Sequence, residues 1–338
     1  MTAFTVITLT MTALLTAAMT LGGPFPALAL VYVTLVTFVM DRLSLPATPD
    51  RPAAEFPAGD TLSLFLGLAH FPLLAGGVRV IGASPDHSGL DKLLLFIALA
   101  LYLGQVSNSN AHELIHRPAR GLRRLGALTY VTLLHGQHVS AHLLVHHVHA
   151  ATDLDPNSAR PGESFYRFLP RAWIGEFREG LRAETRRHGL TLRHPYPWYA
   201  LGGGLTLATA HVLAGPAGLA VLVGLAAYAQ VQLLLSDYVQ HYGLRRDLRD
   251  DGTRCPVGPE HSWNAPQPFS AALMLNAPRH SDHHLHPGTP YPGLDIDRAA
   301  MPILPHALPV MAVLALLPPV WHRLMDKRAR TWATSGQN

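Results

Sequence analysis

The stretch that decides the fold is Leu90 to Arg117, LDKLLLFIALALYLGQVSNSNAHELIHR. Its first part, Leu90 to Val106, is almost wholly apolar and close to the roughly 20 residues that a helix needs to cross a hydrocarbon core. Its end is HELIH, in which His112 and His116 are four apart. On a helix that spacing puts both imidazoles on one face about one turn apart, where they can share a metal ion. A membrane span therefore delivers a pair of metal ligands at its end. Five further stretches have the same apolar character: Ala3 to Leu21, Pro24 to Met40, Leu62 to Ile81, Trp198 to Leu213 and Ala217 to Leu235. The expected fold is an all-α integral membrane protein with six transmembrane helices and a cytoplasmic, His-rich catalytic cap.

Composition agrees with lipid as the solvent. Of 338 residues 49% are hydrophobic and 14% charged, against about 25% charged in an average soluble domain. The first span has no basic residue before it and a second follows at once, so it reads as a retained anchor rather than a cleaved signal. Arg residues gather between the spans: four from Arg117 to Arg124, eight from Arg160 to Arg193, then Arg245, Arg246, Arg249 and Arg254, with Arg323, Lys327, Arg328 and Arg330 near the end. Such loops stay cytoplasmic, which puts the segments 107–196 and 236–338 on that face of the cell inner membrane. The net charge of +4 does not point to nucleic acid, because the Arg are interleaved with acids and apolar residues. A single cysteine, Cys255, excludes an internal disulfide, a Cys-ligated zinc and an iron–sulfur cluster.

One membrane domain, 1–338, with soluble insertions accounts for the chain. Ser44 to Asp60 reads as a Pro- and Ala-rich loop, and Gly126 to Leu134 as a re-entrant or interfacial helix too short to span. Glu163 to His188 has helical charge spacing. Leu304 to Trp321 is apolar but holds five prolines, Pro302 just before it included in the run, so no regular spanning helix is expected there.

Of 21 His, eight lie between His112 and His149 and four between His280 and His286. His70, His87 and His211 stand alone and read as ordinary structural residues. Beside the HELIH pair stand His142, His146 and His147 in an HxxxHH pattern and His280, His283 and His284 in RHSDHH. HExxH alone also fits a zinc protease with Glu113 as general base. A catalytic zinc takes about three protein ligands, however, and eight imidazoles at ligand spacings suit two metals better. Transport is disfavoured because transporters place polar groups near the midplane, whereas these His flank the spans. A site at the membrane face suits an apolar substrate dissolved in lipid, and oxidation of such a substrate by O₂ needs a redox-active metal with open positions.

These residues resemble the membrane-bound alkane 1-monooxygenase family, within the integral-membrane fatty acid desaturase and hydroxylase group. NAHELIHR at Asn110 to Arg117 is similar to the family's first box. HHVHAATDLDPNSAR at His146 to Arg160, with GESFYRFLPR from Gly162, resembles the second. RHSDHH at Arg279 to His284 resembles the third, preceded by HSWN at His261. DYVQHYGL at Asp237 to Leu244 resembles a fourth signature, and the likeness runs on to PPVWHRLMD at Pro318 to Asp326. The resemblance implies six spans, two non-haem iron ions and terminal hydroxylation of n-alkanes with O₂. It also implies nine ligands: His112, His116, His142, His146, His147, His241, His280, His283 and His284. His241 enters through the resemblance alone. The chain departs from the family pattern at Ala141 and Gln240, where Glu is usual, at Val145, where Gly is usual, and at Asp237, Ala277 and Pro278.

Neutral imidazoles need orienting through their free N–H groups, and Glu113, Asp282, Asp155 and Asp237 are the candidate carboxylates. No nucleotide-binding glycine motif follows a strand pattern, so electrons have to come from a rubredoxin- or ferredoxin-type donor and its reductase, for which the Arg-rich face offers a docking surface. An acyl-lipid desaturase or an aromatic-methyl hydroxylase on the same scaffold is the nearest alternative, and an intramembrane zinc metalloprotease a more distant one.

Overall fold

The computed structural model describes residues 1–43, 57–189 and 191–335. Most of the loop expected from Ser44 to Asp60 thus lies outside the described residues, and the next helix already begins at Pro57. Among the described residues five helices are long and apolar enough to cross a membrane. They are α1 (Thr2–Thr20), α2 (Phe25–Leu43), α3 (Pro57–Ala83), α4 (Gly89–Ile115) and, later in the chain, the 46-residue Pro195–Gln240. The last of these joins the two spans expected at Trp198 to Leu213 and Ala217 to Leu235. It is interrupted at Ala214 and Gly215, whose backbone angles are not helical, and Pro216 follows. Gly215 has φ of +59°, a region that glycine occupies without steric cost, and Pro216 has no N–H to offer the preceding turn. Two apolar limbs, 195–213 and 216–240, leave this break.

Local chemistry explains the helix boundaries. At the start of α4 the Ser88 hydroxyl accepts from the Asp91 N–H while the Asp91 carboxylate accepts from the Ser88 N–H, a reciprocal cap. Within α1, Thr8, Thr12 and Thr16 donate their hydroxyls to the carbonyl four residues back, which lets these side chains sit in an apolar span. The outer faces carry exposed Leu35, Phe65, Leu68, Leu93, Leu205 and Val212, as surfaces meeting lipid chains do.

The insertions pack over one end of the spans. Helix α5 (Arg120–Thr132) contains most of the stretch expected to be interfacial and lies across α4. Helix α6 covers 137–149 and includes a π-helical turn at His142–His146. Helix α7 (Phe165–His188) packs on α6, and α8 is Pro195–Gln240. Short helices α9 (Pro268–Leu273) and α10 (His280–Leu285) follow, then α11 (Leu308–Ala315) and α12 (Pro318–Ser335). The Pro-rich segment from Leu304 to Trp321 is indeed broken, between α11 and α12. Asp41 at the end of α2 accepts from the Phe269 and Ser270 N–H groups and so anchors α9 to the membrane helices.

Two cores result. One fills the bundle around Met11, Leu15, Leu66, Leu99 and Leu225. The other fills the cap around Phe168, Tyr238, Tyr242, Trp263 and Trp321. Close approach of α5 to α4 depends on Gly126, where an added Cβ would stand 2.7 Å from the Ala111 carbonyl oxygen and 2.9 Å from the Leu114 Cβ. Gly126→Val is therefore expected to lower stability by about 1–3 kcal/mol through overpacking, seen as a lower midpoint of thermal unfolding in detergent.

Candidate metal centre

Each box supplies its histidines from a helix. His112 and His116 come from the end of α4, His142, His146 and His147 from α6, His241 from the end of α8, and His280, His283 and His284 from α10. Their ring nitrogens fall into two groups. His112, His116, His142, His147 and His283 form one, and His146, His241, His280 and His284 the other, with ligand atoms in each group within 4.8 Å of one another. His146 and His147 are chain neighbours yet serve different groups, because successive residues on a helix point about 100° apart.

The geometry fits bound ions. His142 Nε2 lies 3.1 Å from His116 Nε2 and 2.9 Å from His147 Nε2, and His147 Nε2 lies 3.1 Å from His283 Nε2. In the other group His280 Nε2 lies 2.9 Å from His241 Nε2 and 3.1 Å from His284 Nε2. Two imidazoles bound at right angles to one ion, each about 2.1 Å from it, have nitrogens about 3.0 Å apart. His146 Nε2 is buried without a hydrogen-bond partner among the described residues, as a nitrogen reserved for a metal would be. Burial, then neighbouring imidazoles, holds His142, His147, His280, His283 and His284 well below the ordinary imidazole range. These rings are neutral at physiological pH and have a lone pair to give. An all-imidazole donor set suits iron, copper, nickel or zinc.

The four candidate carboxylates part company. Asp155 Oδ2 lies 2.9 Å from His146 Nδ1 and also accepts from the Ser158 hydroxyl at 2.6 Å, while Asp155 Oδ1 accepts from the Asn157 N–H. Burial works to lower the His146 pKa, but Asp155 overcomes it and the net shift is upward. Glu113 and Asp282, for which an orienting role was expected, bond to other groups. Glu113 pairs with Arg117 and accepts from the Tyr291 N–H, being one helical step round from His112. Asp282 binds His286 at 2.8 Å and the Asp295 N–H, one step round from His283. Asp237 accepts from Asn157 Nδ2 at 2.7 Å.

A third buried group had no place in the reading of the sequence. His135 Nε2 lies 2.5 Å from Glu176 Oε1, and His138 Nδ1 lies 3.2 Å from Glu176 Oε2. Burial alone would push the Glu176 carboxyl up, but His135 and His138 outweigh it and hold it below the usual carboxylate range. Asn157 Nδ2 bridges Glu176 and Asp237. His135, His138, His142 and His146 stack in sequence, with ring centroids 5.1, 5.3 and 5.2 Å apart. Their 3-4-4 spacing was the available signal. Glu176 offered none, since it reaches the group from α7.

Gln240 has a geometric explanation. Its Oε1 accepts from the Ser236 hydroxyl at 2.9 Å and its Nε2 donates to the Ala277 carbonyl at 3.0 Å, tying α8 to the segment that leads into His280. A carboxylate could not make the second bond. Gln240→Glu is expected to cost about 1–3 kcal/mol of stability by setting acceptor against acceptor, measured by chemical or thermal unfolding.

A cavity of about 500 Å³ opens onto both groups, reaching His112 and His142 of one and His280 of the other. Its walls are largely apolar, with Val33 and Phe38 of α2, Leu101 of α4, Leu233 of α8 and Leu308 of α11.

The profile of the fatty acid desaturase family matches residues 92–314. Over 300 residues the chain is 31% identical to alkane 1-monooxygenase 2 of Pseudomonas aeruginosa, covering 85% of this chain and 79% of the relative. It is 32% identical over 301 residues to alkane 1-monooxygenase 1 of the same organism, covering 85% and 78%. The hydroxylase component of xylene/toluene monooxygenase from Pseudomonas putida is 28% identical over 304 residues, covering 84% and 80%.

Proposed function

Because the chain belongs to the fatty acid desaturase family and, within it, to the alkane 1-monooxygenases, we propose that it is a non-haem di-iron monooxygenase. It hydroxylates the terminal C–H of an n-alkane or a similar apolar chain to a primary alcohol. The observation that carries this reading is the pair of convergent imidazole groups at the end of one apolar cavity. His112, His116, His142, His147 and His283 hold one iron and His146, His241, His280 and His284 the other. When bound, the irons supply reductive activation of O₂, with the balance R–H + O₂ + 2 e⁻ + 2 H⁺ → R–OH + H₂O.

The protein's own groups position the reaction. Apolar walls take the chain out of lipid and exclude water, and the end of the cavity presents its terminal carbon beside His112, His142 and His280. Asp155 fixes the tautomer and orientation of His146. Electrons come from a rubredoxin- or ferredoxin-type donor and its reductase, drawn to the Arg-rich cap. The whole chain acts as one membrane domain with six crossings, in which the limbs of α8 on either side of Gly215 cross separately. The cap lies on the cytoplasmic face of the inner membrane, as its Arg content favours.

An aromatic-methyl hydroxylase is the second reading, favoured by the likeness to the xylene/toluene enzyme. A zinc protease built on HELIH has no use for the four-imidazole group. The test is to purify the protein, measure iron per chain, and supply the donor system, ¹⁸O₂ and either n-alkanes or xylenes. About two irons and one labelled oxygen in a primary alkanol are expected. Labelled benzylic alcohol alone would select the second reading, an alkene product would select a desaturase, and one zinc with no oxygenation would overturn both.

A further inference from the structure

The cavity is not uniformly suited to a plain hydrocarbon. Among its lining groups Thr34 and Thr37 donate to carbonyls of their own helix, Asn108 donates to the Ala229 carbonyl, and Asp41, Asp237 and Gln240 are occupied by Phe269 and Ser270, by Asn157, and by Ser236 and Ala277. Two lining amides differ. Gln105 Oε1 and Gln232 Nε2 are both buried without a hydrogen-bond partner among the described residues. An unpartnered amide in an apolar membrane site is costly, so its presence calls for a ligand that satisfies it.

The backbone is shaped around these two side chains. Gln105 lies in a π-helical turn, Leu103–Ser107, of α4, a local expansion of the helix that recurs at functional sites. Gln232 lies across Gly104, where an added Cβ would collide with its Oε1 and Cδ. A side chain at 104 would expel the amide. Gln105 precedes His112 by seven residues on the same helix, so the polar band sits about 10 Å from the metal end of the cavity.

We infer that this cavity binds a chain that is apolar at the end to be oxidised and carries an uncharged hydroxyl or amide group partway along, held between Gln105 and Gln232. A hydroxyl can donate to Gln105 Oε1 and accept from Gln232 Nε2 at once. An anionic carboxylate is disfavoured, because among the described residues the lining contains Asp41 and Asp237 but no Lys or Arg. The inference rests on the monooxygenase reading and narrows its substrate class. The reaction keeps the same balance, one oxygen entering the far C–H bond and the other leaving as water, with electrons from the external donor.

The test compares n-octane with 1-octanol, whose hydroxyl lies about 10 Å from its methyl end and so level with the two amides, in iron-loaded wild-type protein and in Gln105→Leu/Gln232→Leu. Binding of each radiolabelled chain is followed by equilibrium dialysis, and oxidation by product analysis. Wild type is expected to favour the alkanol by about tenfold or more in both readouts, since sites built to hydrogen-bond a hydroxyl discriminate against its absence. The ratio is expected to collapse towards one in the double variant. Equal binding and oxidation of the two chains by wild type would overturn the inference and leave the monooxygenase reading standing. If neither chain is oxidised, the monooxygenase reading fails, while the binding ratio still decides whether the two amides select a polar chain. The wild-type ratio needs no variant to fold.

Discussion

If the proposed di-iron site is right, His284→Ala is expected to abolish alkane hydroxylation and to remove about one iron per chain rather than two. His284 belongs to the group of four imidazoles, the smaller of the two. Deleting it leaves His146, His241 and His280, and the neighbouring group of five keeps every ligand. The expected signature is therefore asymmetric: half the iron lost and all the activity, since the proposed reaction draws on both ions. His283→Ala makes the complementary cut, in the group of five, from which one ligand can be lost with four remaining. It is expected to retain more iron than His284→Ala while still losing most of its turnover. His211→Ala is the control, since that ring is exposed on α8 and belongs to no group. Iron analysis of purified protein alongside whole-cell conversion of n-alkanes reads out all three. Full iron in His284→Ala would refute the division of the ligands into five and four.

Asp155→Ala carries the second large effect. The carboxylate is buried and gathers His146 Nδ1, the Ser158 hydroxyl and the Asn157 N–H. Its removal frees the His146 ring to rotate and leaves buried donors unpaired. Iron affinity of the four-imidazole group is expected to fall about 10–100-fold, the usual range for losing a carboxylate that orients a ligating His. Asp155→Asn keeps an acceptor for Nδ1 and should lose less. Glu113 and Asp282 make their hydrogen bonds to Arg117, Tyr291, His286 and Asp295 rather than to the nine imidazoles, so neither Asp282→Ala nor Glu113→Gln is expected to change iron affinity. Competition against a chelator at graded strengths measures this directly, and equal losses in all four variants would sink the assignment of Asp155.

How much of this was legible in the sequence differs by level. The apolar spans were legible because hydrocarbon imposes a length and a composition on whatever crosses it. The break at Ala214 and Gly215, where the backbone leaves helical angles, falls between the two stretches expected at Trp198 to Leu213 and Ala217 to Leu235, and the Gly-Pro pair marks it in the sequence. Eight of the nine converging imidazoles were legible because a helix brings residues three or four apart to one face, and each cluster carries its own period. His241 stands alone at the end of α8 and has no period to betray it, so only the resemblance marked it.

The orienting carboxylates show the limit most clearly. Glu113 and Asp282 look placed for the task because they stand beside His112 and His283 in the chain, yet on a helix an adjacent residue points about 100° away. Asp155 reaches His146 from nine residues downstream because the chain turns back after α6, and Glu176 reaches His135 and His138 across the α6–α7 contact.

By itself, then, the sequence determined that this is a helical membrane protein with several imidazole pairs at the ends of its spans. Those properties depend on composition and on spacing within single helices. The tertiary structure alone decided that nine imidazoles divide five and four, that His146 and His147 part company, and that two amides without partners face the cavity. Each of these is set by how helices distant in sequence pack together, and no local period records that.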